Sequence, residues 1–228
     1  MLDKIGVLLI HGFGGNTDEV KPFKSYLEKR GYFVLCPELK GHTGIRRDLC
    51  QSSYYDWLMS AESALIDLRK NCNLIVLIGF SMGGLIGLNL STRHQLYAIA
   101  ALNTPIYYWD FPRIATNIYQ DIRLNKTTYL SNYIKSSLKY PLSSMISFRS
   151  LLAKTKGILK QVECPVFIAQ GLQDDTVQHR SADYIYKSVS SKIKKLKYYK
   201  NADHLICHSQ DKDMLFEDIL GFIKNLSK

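Results

Sequence analysis

Five runs of apolar residues, none broken by polar alternation, constrain the fold of this chain more than any other feature. Strands with this pattern are buried on both faces, as in parallel sheets that helices cover on each side. A later run, KLKYYK (195–200), is more polar and is predicted to be the last strand. The five runs are IGVLLI (5–10), YFVLC (32–36), LIVLI (74–78), AIAAL (98–102) and PVFIAQ (165–170).

Helical patterns lie between these runs. The first begins at Pro22, a favourable first-turn proline, and stops at Gly31. The second has apolar residues at helical spacing from Trp57 to Leu68, the third follows Ser81 directly, and the last runs from 215 to 226. Alternating strands and helices predict an α/β fold with a doubly wound, mostly parallel sheet.

The segment from Pro105 to Lys160 interrupts this alternation. It is rich in aromatic, serine and lysine residues and contains no clear core strand. We predict a small, mostly helical cap insertion at 105–160, with 1–104 and 161–228 forming the core of a single domain. The segment contains nine basic and two acidic residues, so it carries +7 of the net charge of +10.

Composition narrows the class of protein. The chain is 46% hydrophobic and 22% charged, which is ordinary for a globular protein. Its five cysteines are scattered and form no CxxC pair, which argues against a disulfide framework or a zinc site. The apolar run near the N-terminus is only six residues long, too short for a signal sequence or a membrane span. A cytoplasmic protein without a transmembrane segment is therefore expected.

A serine with a glycine two residues away on each side follows one of the buried runs. Gly79-Phe80-Ser81-Met82-Gly83 fits G-x-S-x-G, the strained turn between a strand and a helix that exposes a nucleophilic serine. The structural alternative is a helix N-cap. The strand before the motif and the helical pattern after it favour the nucleophile.

Other strand ends carry the groups that such a serine needs. Ligands of open α/β sheets bind beyond the carboxyl ends of the strands. PVFIAQ is followed by GLQDDTV (171–177), and the last predicted strand is followed by the residues Asn201-Ala202-Asp203-His204. Ser81, Asp174 and His204 therefore occur in the order nucleophile, acid, base.

These motifs, with HGFGG (11–15) and PELKGHTG (37–44), resemble the α/β-hydrolase superfamily, in particular small bacterial carboxylesterases and monoacylglycerol lipases. The resemblance implies that Ser81 is the nucleophile, His204 the base and Asp174 the acid that orients it. It also implies that the backbone N–H groups of Phe13 and Met82 form the oxyanion hole. No cofactor or metal is implied.

Rivals for two of these roles remain open. His208 competes with His204 as base, and Asp175, or less readily Asp110, competes with Asp174 as acid, although the G-x-x-D-x-x-V register favours Asp174. Asp203 stands where the family commonly has glycine, and its charge could favour the imidazolium form of His204. The remaining histidines are expected to be structural, exposed or capping: His11 as a hydrogen-bonded structural residue, and His42, His94 and His179 as exposed or capping residues.

The sequence thus predicts a serine carboxyl-ester hydrolase that forms an acyl-enzyme with a small or medium ester bearing an apolar acyl group. The alternatives are an acyltransferase or thioesterase with the same triad, or a non-catalytic ligand-binding protein. The basic cap could contact an anionic surface, whereas no motif indicates nucleic-acid binding. The aromatic residues Tyr107, Tyr108 and Trp109 either line the substrate pocket or pack within the insertion.

Overall fold

The computed structural model describes residues 4–107, 119, 121–124, 126–128 and 140–226. Within these residues, six strands form one parallel sheet in the order β2-β1-β3-β4-β5-β6. The predicted α/β fold is therefore confirmed, and its strands coincide closely with the apolar runs. The strands are β1 (Ile5–Ile10), β2 (Phe33–Leu35), β3 (Leu74–Phe80), β4 (Ala98–Leu102), β5 (Val166–Gly171) and β6 (Lys194–Tyr199).

Burial differs between the centre and the edges of the sheet. Every residue of β4 and β5 is buried, whereas β2 has no buried residue and β6 buries only Tyr199. Central strands have neighbours on both sides and helices on both faces, so they contain continuous apolar runs. The edge strands need fewer apolar residues, which explains why KLKYYK is so polar.

Helices cover both faces of the sheet. Alternate residues of β1 enter opposite cores: Leu8 and Ile10 pack with the helices at 54–69, 82–91, 142–158 and 180–188, while Val7 and Leu9 pack with those at 21–28 and 212–225. Short 3₁₀ helices span Thr17–Val20, Leu159–Gln161 and Ile206–His208. The α-helices are α1 (Lys21–Glu28), α2 (Arg46–Cys50), α3 (Tyr54–Arg69), α4 (Met82–Ser91), α5 (Leu142–Ile158), α6 (Arg180–Ser188) and α7 (Lys212–Asn225).

Helix α5 lies inside the segment that the sequence marks as a cap. Phe148 and Leu151 of α5 are buried in the same core as α3 and α4. The Asn89 side-chain amide of α4 donates to the Thr155 hydroxyl of α5, with 2.6 Å between the nitrogen and the oxygen. This part of the segment therefore packs on the helical layer formed by α3 and α4. Most of 108–139 lies outside the described residues, so the proposed boundaries of the cap stay a prediction.

Among the residues that the structure describes, none of the helices has both the length and the apolarity needed to cross a membrane.

Candidate active site

Ser81 lies in a strained turn between β3 and α4. Its φ of 51° and ψ of −115° lie in a region that residues other than glycine rarely adopt. A Cβ atom on Gly79 would overlap the backbone of Gly83, and one on Gly83 would overlap the Ile10 carbonyl group. The strand and helix therefore approach so closely that only glycine fits at either position.

The surroundings of Ser81 favour negative charge at its hydroxyl. Helix α4 begins at Met82, so its N-terminus, with unpaired N–H groups and a positive partial charge, adjoins the serine. Ser81 is only 5% exposed. Its own N–H donates to the Leu102 carbonyl oxygen of β4 at 2.8 Å, which fixes the turn to the neighbouring strand.

Asp174 and His204 form a hydrogen-bonded pair. His204 Nδ1 lies 2.9 Å from Asp174 Oδ2, and the aspartate is completely buried. The other carboxylate oxygen accepts hydrogen bonds from the backbone N–H groups of Thr176 and Val177, at 2.8 and 2.9 Å. Because these donors hold the carboxylate in place, it can hold the imidazole ring in turn.

The rival residues have other partners. His208 is exposed, and its Nε2 donates to the Asp18 carbonyl oxygen at 2.9 Å. Asp175 accepts a hydrogen bond from the Thr176 hydroxyl at 3.2 Å. Asp110 lies outside the described residues. Of the acids and bases considered from the sequence, the structure brings Asp174 and His204 together.

The pKa of His204 reflects two opposing influences. Burial lowers it, but the charge of Asp174 and the hydrogen bond to it raise it more, so the net shift is upward from the ordinary histidine value. Smaller upward contributions come from Glu19 and Asp175, and Asp203 is not among the groups that raise it. With Nδ1–H facing Asp174, the Nε2 atom of the neutral ring is left as the proton acceptor.

The imidazole lies at the same edge of the sheet as Ser81. Its ring packs against the ring of Phe80, the residue before the serine, with 5.1 Å between the centroids. The loop after β1 reaches this region too, because Gly12 N–H donates to Glu19 Oε2 at 2.8 Å, and Glu19 is close enough to influence the His204 pKa. Residues that follow β1, β3 and β6 therefore lie together at one edge of the sheet.

Comparison with known proteins supports the same family. A family model described as "Serine aminopeptidase, S33" matches residues 3–211. The chain is a member of the α/β-hydrolase superfamily. It is similar to a thermostable monoacylglycerol lipase of Bacillus sp. strain H-257, at 31% identity over 96% of this chain and 90% of the relative. It is also similar to a carboxylesterase of Bacillus subtilis strain 168, at 26% identity over 96% and 92% of the two chains.

Solved structures share the fold of this α/β-hydrolase. One is a structure from work on the metagenome-derived lipolytic enzymes LipS and LipT, with a TM-score of 0.82 and 21% identity. The match covers 98% of this chain and 94% of the other. A soluble variant of monoglyceride lipase from Saccharomyces cerevisiae has a TM-score of 0.75 at 18% identity, and the match covers 99% and 88% of the two chains.

The loop after β1 in this α/β-hydrolase is held in place by hydrogen bonds of His11. His11 is buried, and its Nδ1 donates to the Gly12 carbonyl oxygen at 2.9 Å while its Nε2 accepts from Leu39 N–H at 3.3 Å. Both ring nitrogens of a neutral imidazole are thus used, and burial lowers the pKa of His11. This agrees with the predicted structural role. That the Phe13 amide binds an oxyanion stays a prediction.

His42 differs from its expected place on the surface. It is only 2% exposed, because its ring packs edge-on against Trp57 and beside His11, with centroid distances of 5.5 and 5.1 Å. Burial, and secondarily the neighbouring His11, lowers the pKa of His42 to about 4. The expectation of an exposed or capping histidine was wrong, since a single histidine in a loop gives no sign of the aromatic residues that will cover it.

Tyr107 packs against helix α6. Its backbone N–H donates to the Ser181 hydroxyl at 2.9 Å, and its ring lies 4.2 Å from the Arg180 guanidinium and edge-on to Tyr184. These contacts hold Tyr107 beside the loop that carries Asp174. Tyr108 and Trp109 lie outside the described residues, so the substrate-pocket role of all three residues stays a prediction.

Asn103 is a buried residue of the site that the sequence analysis did not single out. It follows β4, has a φ of 44°, and its side-chain amide donates to the backbone carbonyl oxygen of His204 at 2.9 Å. The available signal was its position: a polar residue directly after AIAAL, at the edge where Ser81 and Asp174 were expected.

Proposed function

We propose that this protein is a serine carboxyl-ester hydrolase that acts through an acyl-enzyme intermediate, with Ser81, His204 and Asp174 as its triad. The observation that carries the proposal is the hydrogen bond between partly buried His204 and fully buried Asp174, at the sheet edge where Ser81 occupies its strained turn. A positive φ costs free energy at a serine, so its presence between two obligatory glycines favours function over simple capping.

The chemistry follows from these roles. Ser81 Oγ attacks the ester carbonyl carbon as His204 Nε2 takes the hydroxyl proton, which forms a tetrahedral oxyanion. Collapse breaks the bond to the alcohol oxygen, which leaves with the proton from His204. Water then attacks the acyl-serine and gives its proton to His204, and the second collapse releases the carboxylic acid and restores Ser81.

The surrounding groups supply stabilisation at the two places where charge develops. Asp174 lies beside the imidazolium that forms at His204, and its buried, doubly hydrogen-bonded carboxylate stays in place during the reaction. We assign the backbone N–H groups of Phe13 and Met82 to the oxyanion, the second at the N-terminus of α4.

The substrate class comes from the relatives together with the site. Two curated relatives are named as a monoacylglycerol lipase and a carboxylesterase, so we propose small esters with an apolar acyl group, including monoacylglycerols. The family description names a serine aminopeptidase instead. Ester hydrolysis and peptide hydrolysis use the same attack on a carbonyl carbon. They differ in the leaving group, which is an alcohol in the first and an amine in the second.

The test compares the wild-type protein with Ser81→Ala. Wild-type protein should hydrolyse p-nitrophenyl esters of graded chain length and monoacylglycerols faster than amino-acid p-nitroanilides. Ser81→Ala should lower kcat by roughly 10⁴ to 10⁶ while circular dichroism and the melting temperature stay close to wild type. A fluorophosphonate probe should add one label, at Ser81.

Two other outcomes would change the assignment. Faster turnover when an alcohol or thiol acceptor is added, or with a thioester substrate, would favour the acyltransferase or thioesterase alternative. An unlabelled Ser81 in folded protein, together with no ester hydrolysis, would contradict the proposal and leave a ligand-binding protein on this fold.

A further inference from the structure

The carboxyl end of β4 is the place where the loops of the proposed triad meet. The Leu102 carbonyl oxygen accepts the hydrogen bond from Ser81 N–H at 2.8 Å. The next residue, Asn103, binds the backbone of the His204 loop and of the turn before Asp174. Two consecutive residues of one strand end therefore contact the chain around all three members of the triad.

The Asn103 side chain makes three hydrogen bonds. Its Nδ2 atom donates to the backbone carbonyl oxygens of Asp203 and His204, each at 2.9 Å. Its Oδ1 atom accepts from the backbone N–H of Gly171 at 2.7 Å. Two carbonyl groups on one side and an N–H on the other fix the orientation of the amide, since the opposite orientation would oppose like groups.

The backbone of Asn103 is equally constrained. The residue is completely buried, its φ is 44°, and its own N–H donates to the Ala169 carbonyl oxygen at 2.9 Å. Asparagine accepts this left-handed conformation more readily than most residues, and its short side chain then reaches nearby backbone groups. The position needs both the unusual φ and the amide, which few other residues combine.

We propose that Asn103 is the positioning residue that sets the imidazole of His204 relative to Ser81. The inference rests on the proposed function. Ser81 is fixed by the carbonyl group of Leu102, and His204 by the side chain of the adjacent Asn103, so two consecutive residues at the end of β4 set their separation.

The same network extends to the acid. Gly171, which donates to Asn103, follows Gln170, whose side-chain amide donates to Asp174 Oδ2 at 3.4 Å. Asn103 thus acts on the His204 backbone from one side while Asp174 acts on its ring from the other. A reacting group displaced by about 1 Å can lose on the order of 10² in rate, so loss of this support should reduce kcat.

Two variants separate the parts of this role. Asn103→Gly keeps the permissive φ and removes all three side-chain hydrogen bonds. Asn103→Asp keeps the shape and the acceptor for Gly171 N–H, but sets a carboxylate oxygen against two carbonyl groups. We expect kcat to fall about 10- to 100-fold in both, with KM within about threefold of wild type, because substrate binding does not need the base to be placed accurately.

The pH profile supplies a readout that a merely structural role would not move. In Asn103→Gly, the His204–Asp174 contact should loosen, so less of the upward pKa shift of His204 should remain. The acid limb of kcat/KM should then move to lower pH than in wild type. The downfield proton resonance of the His204 Nδ1–H group should weaken or shift in parallel.

Asn89 provides the matched control. It is also a buried asparagine, whose side-chain amide donates to the Leu85 carbonyl oxygen and to the Thr155 hydroxyl, on the helical layer away from the triad. Asn89→Ala should lower the melting temperature while it leaves kcat and the pH profile unchanged, when all proteins are assayed well below their melting temperatures.

The outcomes are distinguishable. Folded Asn103→Gly or Asn103→Asp protein with wild-type kcat and pH profile, beside an inactive Ser81→Ala, would overturn only this inference. An active Ser81→Ala would overturn the proposed function itself. If Asn103→Gly does not fold, the isosteric Asn103→Asp decides the matter by the ratio of its kcat to that of Asn89→Ala.

Discussion

Ser81 and His204 reach the same sheet edge by opposite means. The serine is held by backbone packing within a five-residue motif, in which Gly79 and Gly83 allow β3, α4 and β1 to touch. The histidine is held by two side chains distant in sequence: Asp174 binds its ring, and Asn103 binds its backbone from 101 residues away. One side of the site is set by local geometry, the other by long-range hydrogen bonds.

This difference determines how each side tolerates change. A backbone that fills its space cannot move away from an added methyl group, so a side chain added at Gly79 or Gly83 should destabilise the fold. Hydrogen bonds can lengthen or exchange with water, so the histidine side should fail by losing activity in a folded protein. Variants of His204, Asp174 and Gly79 test that division.

The largest effect is expected on the histidine side. His204→Ala should lower kcat by roughly 10⁴ to 10⁶, because members of a triad act as a unit, while the melting temperature changes little. His208→Ala, which loses only the exposed hydrogen bond to Asp18, is the matched control and should keep near-normal kcat. Activity that survives in His204→Ala and disappears in His208→Ala would show that the base was assigned wrongly.

Substitution of Asp174 should have a smaller effect on kcat than loss of the His204 imidazole. Asp174→Asn should lower kcat by about 10² to 10⁴ through loss of the correct tautomer, and Asp175→Asn should leave it within a few-fold. Because Asp174 raises the pKa of His204, and the base must be neutral, the acid limb of kcat/KM should move to lower pH in Asp174→Asn. The reverse ranking of the two variants would assign the acid to Asp175.

The serine side is tested by its glycines. Gly79→Ala should reduce the free energy of unfolding by about 3 kcal/mol or more, because its Cβ would overlap the Gly83 backbone. Gly221→Ala, on helix α7 with nothing within 4 Å of the added Cβ, is the control and should be neutral or stabilising. Urea unfolding measures both. A stable Gly79→Ala with low kcat would break the proposed division.

A change of pH should affect the stability contributions of His42 and His204 in opposite directions. His42, which packs against His11 and Trp57, has its pKa lowered to about 4, so the unfolded chain binds its proton first and stability falls as pH drops from 6.5 towards 4. His204 has a raised pKa, so its contribution is present at low pH and is lost as pH rises through that value.

The His42 contribution amounts to about 2 kcal/mol between pH 7.5 and 5. His42→Gln should therefore lose less free energy of unfolding than wild type over this interval, as measured by urea titration at the two pH values. An identical loss in both proteins would mean that His42 is not responsible.

Local patterns in the sequence predicted the serine side almost completely. The run LIVLI, the spacing of Gly79 and Gly83 and the following apolar residues specify the strand, turn and helix, because each element depends on its immediate neighbours. Asp174 and His204 could be proposed from their order and from the register of the loop. Their contact depends on β5 and β6 being adjacent, which alternation of elements suggests without fixing the order of strands.

The features that sequence reasoning missed are those that depend on distant partners. Asn103 is a short polar residue after a strand, and only the folded sheet places Asp203 and Gly171 around it. His42 is covered by Trp57, although its local sequence led us to expect an exposed or capping residue. Local hydropathy carries no record of which surface will meet another.

The position of β6 at the edge of the sheet has a consequence for how the protein should lose activity on heating. Within the described part of the chain this strand pairs only with β5; it buries a single residue, and the chain after it leads to His204. Elements with few buried contacts open in local fluctuations long before the whole domain melts. Heat should therefore release the base from the site while Ser81 remains in the intact centre, so that reversible inactivation precedes cooperative unfolding.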